Sequence, residues 1–273
     1  MDRMMQTNLA SGVDVSANLR SIQARISAAA ARVRRDPTGI KLVAVTKSGR
    51  LDQIYDLIRA GHRSFGESRV QQLQVRATEV KAWLERPAED SSTSNYGGSH
   101  AALSESPVEW HMIGHLQTNK AAAAVTYCSL IHSADSLRLV ELLGEIGVRR
   151  GIRVPILLEV NTTDDPAKYG MPPMAAFHVA EETANVPGLK FMGLMTMARH
   201  SDNPEEARPA FVRLRELFED IAARKTGGPH FTQLSMGMSG DFEVAVEEGA
   251  TIVRVGAALF APGVPAEAAK ASQ

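Results

Sequence analysis

The sequence predicts an α/β fold built as a single (β/α)8 TIM-like barrel. Three observations predict this fold: eight short runs rich in apolar and β-branched residues, helical stretches between nearly all of them, and an alternation that fills most of the 273 residues. Most of the runs are apolar on both faces, as parallel strands covered by helices are. Eight such repeats in about 250 residues favour a closed barrel over an open doubly wound sheet.

The elements follow each other regularly along the chain. Apolar residues at helical spacing from Val15 to Val33 predict an amphipathic helix that ends before Pro37. The next run, 41–47, is rich in β-branched residues, ends at Ser48-Gly49 and precedes the helical stretch 51–61. The remaining strands are predicted at 62–67, 108–114, 128–134, 154–161, 189–197, 231–237 and 251–260.

One segment breaks this alternation. Residues 85–107 are rich in Ser, Gly, Pro and acidic residues and have hardly any periodicity, so we predict a disordered insertion within the barrel. A boundary between two domains is the alternative, but the strand and helix pattern resumes directly at Val108. The predicted organisation is therefore a flexible tail at 1–13, one barrel at 14–261 and a second flexible tail at 262–273.

Composition excludes several classes of protein. Lys and Arg number 30 and Asp and Glu 31, which gives a net charge of −1 and no basic field for nucleic acid or an acidic membrane. No run approaches the roughly 18 apolar residues of a membrane span. The one cysteine, Cys128, allows neither an internal disulfide nor a thiolate-rich metal site and suits a reducing compartment. We therefore expect a cytoplasmic protein.

The first candidate for chemistry is a lysine at the end of a strand. In a (β/α)8 barrel the active face lies at the carboxyl ends of the strands. Lys47 ends the first predicted strand, so its amine is expected at the barrel mouth as a nucleophile. An ordinary lysine, with a pKa of about 10.4, attacks a carbonyl only after burial or a neighbouring cation has lowered its pKa. A lysine that only lies on the rim or binds an anion is the alternative.

A second candidate lies in residues 234–249, where a strand runs through Ser, Gly, Ser and Gly into a helix. Such a turn offers backbone N–H groups, hydroxyls and the positive end of a helix dipole to a phosphate. It follows the seventh predicted strand, and Arg254, Gly256 and Ala257 lie on the eighth, which is the common phosphate location in these barrels. Plain capping of the helix by Ser239 is the alternative.

Several familiar motifs are absent from the sequence. His111 and His115 are four residues apart, but Gly114 and the strand pattern place them on an extended segment and a turn rather than on one helical face. They form no HExxH zinc motif, and no metal site is expected. The chain also lacks GxGxxG, GxxxxGK[ST] and GxSxG, so dinucleotide-binding, P-loop and serine-hydrolase functions have no support.

Seven blocks of sequence together resemble the pyridoxal phosphate homeostasis protein family, also called the YggS/PROSC family. The blocks are VAVTK, FGESRVQQ, EWHMIGHLQTNK, IHSADS, NTTDDPAKYG, GLMTM and LSMGMSGDFEVAVEEGATIVRVGAALF, and they occur in the family's order over residues 14–261. The resemblance implies a barrel of the alanine racemase N-terminal domain type, a fold-type III barrel. It further implies that pyridoxal 5′-phosphate (PLP) is held as a Schiff base on Lys47, the lysine of the first block.

The resemblance also implies the other cofactor contacts. Lys168 matches a lysine of the NTTDDPAKYG block and is a candidate second, transient PLP acceptor or anion contact, with solvent exposure in a loop as the alternative. Arg254 is expected to face either the ring nitrogen or the phosphate. The predicted PLP-binding residues are Lys47, His111, Asn161, Lys168, Met197, Ser235, Met236, Ser239, Arg254, Gly256 and Ala257, with no catalytic residue assigned.

The chain departs from the family pattern in three places. Ala257 stands where the family usually has Thr, so one phosphate hydrogen bond, worth about 1.5–3 kcal/mol, is expected to be missing unless Arg50 or a water replaces it. Ser68 replaces a usual Asn, and residues 48–50 replace a frequent Thr-Lys-Pro. These changes concern the fine geometry of the site and not the identity of the cofactor.

The predicted function is intracellular PLP homeostasis by a monomeric carrier, which holds PLP and supplies it to apo-enzymes without catalysis of its own. This expectation rests on chain length, because the racemases and decarboxylases that the barrel resembles add a β-domain after it. A PLP-dependent amino-acid racemase or decarboxylase, with His111 as acid or base opposite Lys47, is the alternative. A Schiff-base aldolase, in which Lys47 attacks a sugar phosphate, and a scaffold without a ligand also stay open.

Overall fold

A computed structural model describes residues 13–86, 107–163 and 165–262. Its strands are β1 (Lys41–Val45), β2 (Ser64–Glu67), β3 (Glu109–Met112), β4 (Leu130–Ala134), β5 (Val154–Glu159), β6 (Leu189–Met195), β7 (Gln233–Ser235) and β8 (Ile252–Val255). Its helices are α1 (Val15–Arg32), α2 (Leu51–Arg59), α3 (Val70–Leu84), α4 (Ala121–Tyr127), α5 (Leu137–Arg150), α6 (Pro173–Asn185), α7 (Arg208–Ala223), α8 (Phe242–Glu247) and α9 (Ala257–Phe260). Within these ranges no helix has the length and apolar character to cross a membrane.

The predicted insertion at 85–107 and the predicted tails at 1–13 and 262–273 lie, apart from their edge residues, outside the described residues. Their flexibility therefore stays a prediction.

The eight strands form one closed barrel in chain order, and each pair of neighbours is parallel, which confirms the predicted fold class. The barrel closes through β1 and β8, where Val43 lies opposite Arg254 and Ala44 opposite Val255. Each helical segment packs back onto the outside of the sheet. All strands therefore end at one face, which we call the mouth, and begin at the opposite face, which we call the floor.

The larger apolar core lies between the barrel and its helices. In α1, Leu19, Ile22 and Ile26 are buried on one face, and the Asp14 side chain accepts a hydrogen bond at the helix start. The helix ends before Pro37, as predicted. A smaller apolar cluster fills part of the barrel interior and consists of Val43, Leu130, Leu157, Met195 and Ile252.

Six of the eight predicted strands extend at least two residues past the observed strand end, and two of these errors concern the site. The strand predicted at 251–260 ends at Val255, because Gly256 leaves the extended conformation and residues 257–260 form α9. Alanine and leucine suit a helix better than a strand, and the apolar pattern alone did not separate the two. The strand predicted at 41–47 also ends early: residues 46–48 form one 3-10 turn, so Lys47 lies on that turn and not on β1.

Gly193→Ala is expected to destabilise the barrel. Gly193 lies within β6 with φ at +149°, and a Cβ there would be 1.8 Å from the Gln233 carbonyl oxygen of β7. Both the left-handed backbone and the clash oppose a side chain, so we expect the free energy of unfolding to fall by about 1–3 kcal/mol or more in urea titrations. Gly39→Ala is the control, because a Cβ at Gly39 meets no atom within 4 Å. An equal loss in both variants would contradict the steric argument.

Candidate functional site

Lys47 lies on the short turn that follows β1. The turn is packed closely against α9, since a Cβ on Gly49 would be 2.5 Å from the Phe260 ring. The Lys47 side chain is exposed at the mouth, and its amine forms no hydrogen bond or ion pair with any residue that the structure describes. The turn therefore presents an accessible primary amine on a rigid support.

A buried ionic cluster supports the Lys47 turn on its inner side. The Arg76 guanidinium, on α3, donates to the carbonyls of Thr46 and Gly49 and lies 3.0 Å from the Glu67 carboxylate. The Thr46 hydroxyl donates to Glu67 at 2.5 Å. Burial raises the pKa of the Glu67 carboxyl, and the Thr46 hydroxyl and the Arg76 cation oppose that rise. The cluster fixes both ends of the Lys47 turn, so Arg76 is a positioning residue for the amine.

Arg254 lies inside the barrel beneath the mouth. It is 3% exposed; its Nη1 donates to the Ser235 hydroxyl at 2.6 Å and its Nη2 to the Thr196 carbonyl at 2.9 Å. The Ser235 hydroxyl also lies 2.9 Å from His132 Nδ1. Burial lowers the pKa of Arg254 to about 10, although the charges of Glu159 and Asp241 act to raise it. The guanidinium is therefore charged at neutral pH.

A compact turn connects β7 to α8 beside the end of β8. Gly237 has φ at +93°, and a Cβ there would be 2.6 Å from the Ala245 Cβ, so only glycine fits. The Ser239 hydroxyl accepts hydrogen bonds from the backbone N–H groups of Gly256 and Ala258, each at 3.2 Å. Because these two bonds use the oxygen lone pairs, the hydroxyl proton is left to donate to an anion at the mouth.

Two further predicted residues lie on the rim. Lys168 is half-buried and not solvent-exposed as a loop lysine would be: its amine donates to the Met197 carbonyl at 3.2 Å, and burial lowers its pKa. Asn161 is engaged in its own loop, where its side chain donates to the Asp165 carbonyl and accepts from Thr163.

The mouth also contains groups outside the predicted set of PLP-binding residues. Glu159, at the end of β5, is 2% exposed, and its Oε2 has no hydrogen-bond partner among the described residues. Burial, with the charge of Asp135, raises the pKa of Glu159 to about 7. The exposed His115 ring lies 2.7 Å from Asp135 through Nδ1 and stacks on Tyr169.

The structure brings some of the predicted residues together at the mouth and places Met236 and His111 elsewhere. Those of the Lys47 turn and of the Ser239 turn meet at the ends of β1 and β8, with Arg254 and Ser235 beneath them. Met236 packs in the apolar layer under the helices, and His111 lies deeper in the barrel, bonded to His132. The exposed Arg50 guanidinium pairs with Asp52, and its replacement of the missing hydroxyl at position 257 stays a prediction.

Sequence reasoning missed Arg76, Thr196 and Glu159 as site residues. One signal was available: Glu159 is an acid that closes the apolar run ILLE, where a buried carboxyl is costly. The other two carry no local signal, because their roles depend on partners from distant parts of the chain.

The comparisons with known proteins agree with this geometry. The family model described as alanine racemase, N-terminal domain matches residues 17–262, so the fold and site define a barrel of the alanine racemase type. The pyridoxal phosphate homeostasis protein of Aquifex aeolicus is 35% identical over 243 residues, which are 89% of this chain and 95% of that protein. The chain therefore belongs to the alanine racemase N-terminal domain family and, within it, to the pyridoxal phosphate homeostasis proteins, which confirms the resemblance seen in the sequence.

Solved structures lead to the same fold. PipY of Synechococcus elongatus, solved with PLP bound, has a TM-score of 0.73 and 28% sequence identity and covers 91% of this chain and 100% of its own. Alanine racemase of Clostridium difficile has a TM-score of 0.63 over 92% of this chain and 58% of its own. At 12% identity, this second likeness shows the barrel fold alone.

Glu159→Gln is expected to stabilise the protein at alkaline pH. The folded-state pKa of about 7 lies above the ordinary value of 4.5, so the folded protein keeps a proton that the unfolded chain releases. Wild-type stability should therefore fall as the pH rises through this window, by about 3 kcal/mol in all, whereas the Gln variant has no proton to lose. Unfolding free energies of both proteins at about pH 5 and about pH 8 measure this. A difference that does not change with pH would contradict the buried placement of the carboxyl.

Arg76→Met is expected to leave the Glu67 carboxylate buried without its cation. Removal of one member of a buried ion pair costs about 3–5 kcal/mol, which thermal or urea unfolding detects. The double variant Arg76→Met/Glu67→Gln is the control, since it also removes the unpaired charge and should recover most of the loss. Equal losses in the single and double variants would show that the ion pair does not account for the effect.

Proposed function

We propose that this protein holds PLP through a reducible covalent link to the Lys47 amine and takes part in intracellular PLP homeostasis without catalysis of its own. One observation carries the proposal: three features meet at one barrel mouth. They are the exposed Lys47 amine, the turn that presents the Ser239 hydroxyl, and the buried Arg254 beneath them. The name of the Aquifex relative and the PLP in the PipY structure support the choice of ligand. PLP supplies an aldehyde that condenses reversibly with a primary amine.

The Ser239 turn is assigned to the phosphate. A dianionic phosphate needs hydrogen-bond donors, and the Ser239 hydroxyl retains its proton while the Gly256 and Ala258 amides hold its oxygen in place. Ala257 contributes its backbone but no hydroxyl, so the phosphate receives fewer hydrogen bonds here than a threonine would allow.

Arg254 is assigned to the ring side and not to the phosphate. Its guanidinium lies in the interior, bonded to Ser235 and Thr196, whereas Ser239 lies at the rim. A permanent cation next to the ring nitrogen disfavours protonation of that nitrogen and so weakens the electron sink that carbanion chemistry uses. This charge arrangement supports a protein that holds PLP rather than one that turns over amino acids.

The other predicted contacts belong to the same proposal. Lys168 and Met197, joined by a hydrogen bond at the rim, provide a second amine near the mouth, which suits the predicted role as a transient acceptor. Asn161 supports the loop that carries Lys168. Supply of PLP to apo-enzymes, a cytoplasmic location and a monomeric state complete the proposal as expectations from the sequence.

A PLP-dependent amino-acid racemase or decarboxylase is the second candidate, and one observation favours it. His115 is bonded to Asp135 at the mouth, and an imidazole next to a carboxylate is a common general base. His111, the acid or base considered first, is buried and bonded to His132, which argues against that role. Racemisation of an amino acid by the PLP-loaded protein, lost in His115→Gln, would favour this function over a carrier.

Lys47→Ala is expected to abolish the covalent attachment of PLP. The wild-type protein mixed with PLP should develop a visible absorption band, and borohydride reduction followed by peptide mass spectrometry should place the label on Lys47. Lys190→Ala is the matched control, because Lys190 is a half-buried lysine near the start of β6, at the floor. Label spread over surface lysines, or full labelling of the Lys47 variant at another site, would refute the proposal.

A further inference from the structure

A row of polar side chains crosses the barrel interior from the floor to the mouth. At the floor, the Lys41 amine pairs with the Glu109 carboxylate at 2.6 Å, and Glu109 Oε2 lies 3.8 Å from His111 Nε2. The His111 Nδ1 and His132 Nε2 atoms are 2.8 Å apart. We call this row the interior chain; its members are Lys41, Glu109, His111, His132, Ser235 and Arg254.

The two histidines of the interior chain are deeply buried, at 1% exposed for His111 and 0% for His132. The interior of such a barrel is ordinarily filled by branched apolar side chains. Polar groups buried there are costly unless each has a partner, so a row of such groups needs a physical explanation. Among the described residues His111 Nε2 has no hydrogen-bond partner, and the Glu109 carboxylate 3.8 Å away acts on it through its charge. Burial lowers the pKa of both rings, which keeps them neutral at physiological pH.

The hydrogen bonds of the interior chain have one consistent direction. Arginine can only donate, so the Ser235 oxygen accepts from Arg254 and its proton is free to go to His132 Nδ1. A neutral ring that accepts at Nδ1 carries its proton on Nε2, so His132 then donates to His111 Nδ1. By the same rule, His111 carries its proton on Nε2, which faces the Glu109 carboxylate at 3.8 Å in an electrostatic contact and not in a hydrogen bond.

The opposite direction is unfavourable at both ends. If His132 donated to Ser235, the hydroxyl proton would have no acceptor among the side chains that the structure describes around it. The His111 Nε2 lone pair would then face the Glu109 carboxylate. That carboxylate is ionised, since His111 and Lys41 lower its pKa to about 2. The chain therefore runs from a cation that only donates to an anion that only accepts.

We propose that His111 and His132 are positioning residues of the cofactor site: they form an oriented hydrogen-bond chain that fixes the Arg254 guanidinium and couples it to the Lys41–Glu109 ion pair on the floor. The inference rests on the proposed function, because it takes Arg254 as the group that faces the PLP ring. Two other charges act on Arg254 from the neighbouring elements, those of Glu159 and Asp241. Neither of them belongs to the interior chain.

The direction of the chain is tested on the protein without PLP. Nitrogen-15 NMR of histidine side chains distinguishes the two neutral tautomers, and the His132→Leu and His111→Leu variants assign the signals among the eight histidines. We expect both rings in the Nε2–H form near neutral pH. An Nδ1–H tautomer or an imidazolium at either position would overturn the oriented chain. This result does not depend on PLP binding, so it separates the inference from the proposed function.

The coupling to the cofactor is tested with PLP. In His132→Leu we expect labelling at Lys47 to persist, the PLP dissociation constant to rise by about 2- to 12-fold, as for one hydrogen bond, and the visible absorption maximum to move. Ser235→Ala breaks the same link by the loss of a single oxygen atom, and we expect the same changes in affinity and spectrum. It replaces His132→Leu as the test if that larger substitution impairs folding. His62→Leu is the control, because His62 is buried near the floor but lies outside the interior chain.

The long-range part of the inference has its own variant. Glu109→Gln changes only the floor end of the interior chain, and we expect it to move the absorption maximum in the same direction as His132→Leu. An unchanged spectrum in Glu109→Gln would overturn the coupling to the floor, and an unchanged spectrum and affinity in both His132→Leu and Ser235→Ala would overturn the positioning role. Failure of the wild type to bind PLP would instead refute the proposed function.

Discussion

The pairing of β1 with β8 is the interaction on which the site depends. These strands are the first and the last of the barrel, and their pairing places the Lys47 turn against α9, where Gly49 touches Phe260 and Gly256 lies against the Val45 carbonyl. In an open sheet with the same strand order, β1 and β8 would be the two outer edges. The amine and the Ser239 turn would then be separated by the full width of the sheet, so closure of the barrel creates the site.

The closed barrel also makes a polar interior possible. Once eight strands exclude water, each buried polar group needs a partner, and Arg254 obtains two, Ser235 and Thr196, from neighbouring β7 and the end of β6. The backbone hydrogen bonds around the barrel hold these strands in register, so the positions of the partner groups are fixed by the strands and not by flexible loops. Among the residues that the structure describes, the buried Glu159 Oε2 has no hydrogen-bond partner. The rule that a buried interior is apolar and fully hydrogen-bonded is thus broken at the place where the proposed ligand would lie.

The fold was predictable from the sequence because its signals are local: each strand is an apolar run and each helix has its own periodicity. Residues 257–260 show the limit, since an apolar segment of that length suits a strand or a helix. The position of Lys47 at the mouth was predictable because it closes an apolar run, although it lies on the turn after β1 and not on the strand. Arg76 was not predictable, because a buried partner from another element defines its role. Lys168 was predicted as a cofactor contact, with exposure in a loop as the alternative, and its half-buried state depends on the distant Met197 carbonyl.

The proposed carrier has to release its ligand as well as hold it, and the mouth suits both needs. Arg76 and Glu67 fix the turn on both sides of Lys47, whose amine has no bond to any residue that the structure describes, so its support alone positions it. The side chain itself is exposed, so a second amine would have access to an aldehyde held there. Ser239 is already held by two backbone amides, so the phosphate site keeps its shape when the ligand leaves. A rigid support beneath an accessible amine therefore agrees with the proposed carrier, in which the aldehyde has to be exchanged as well as held.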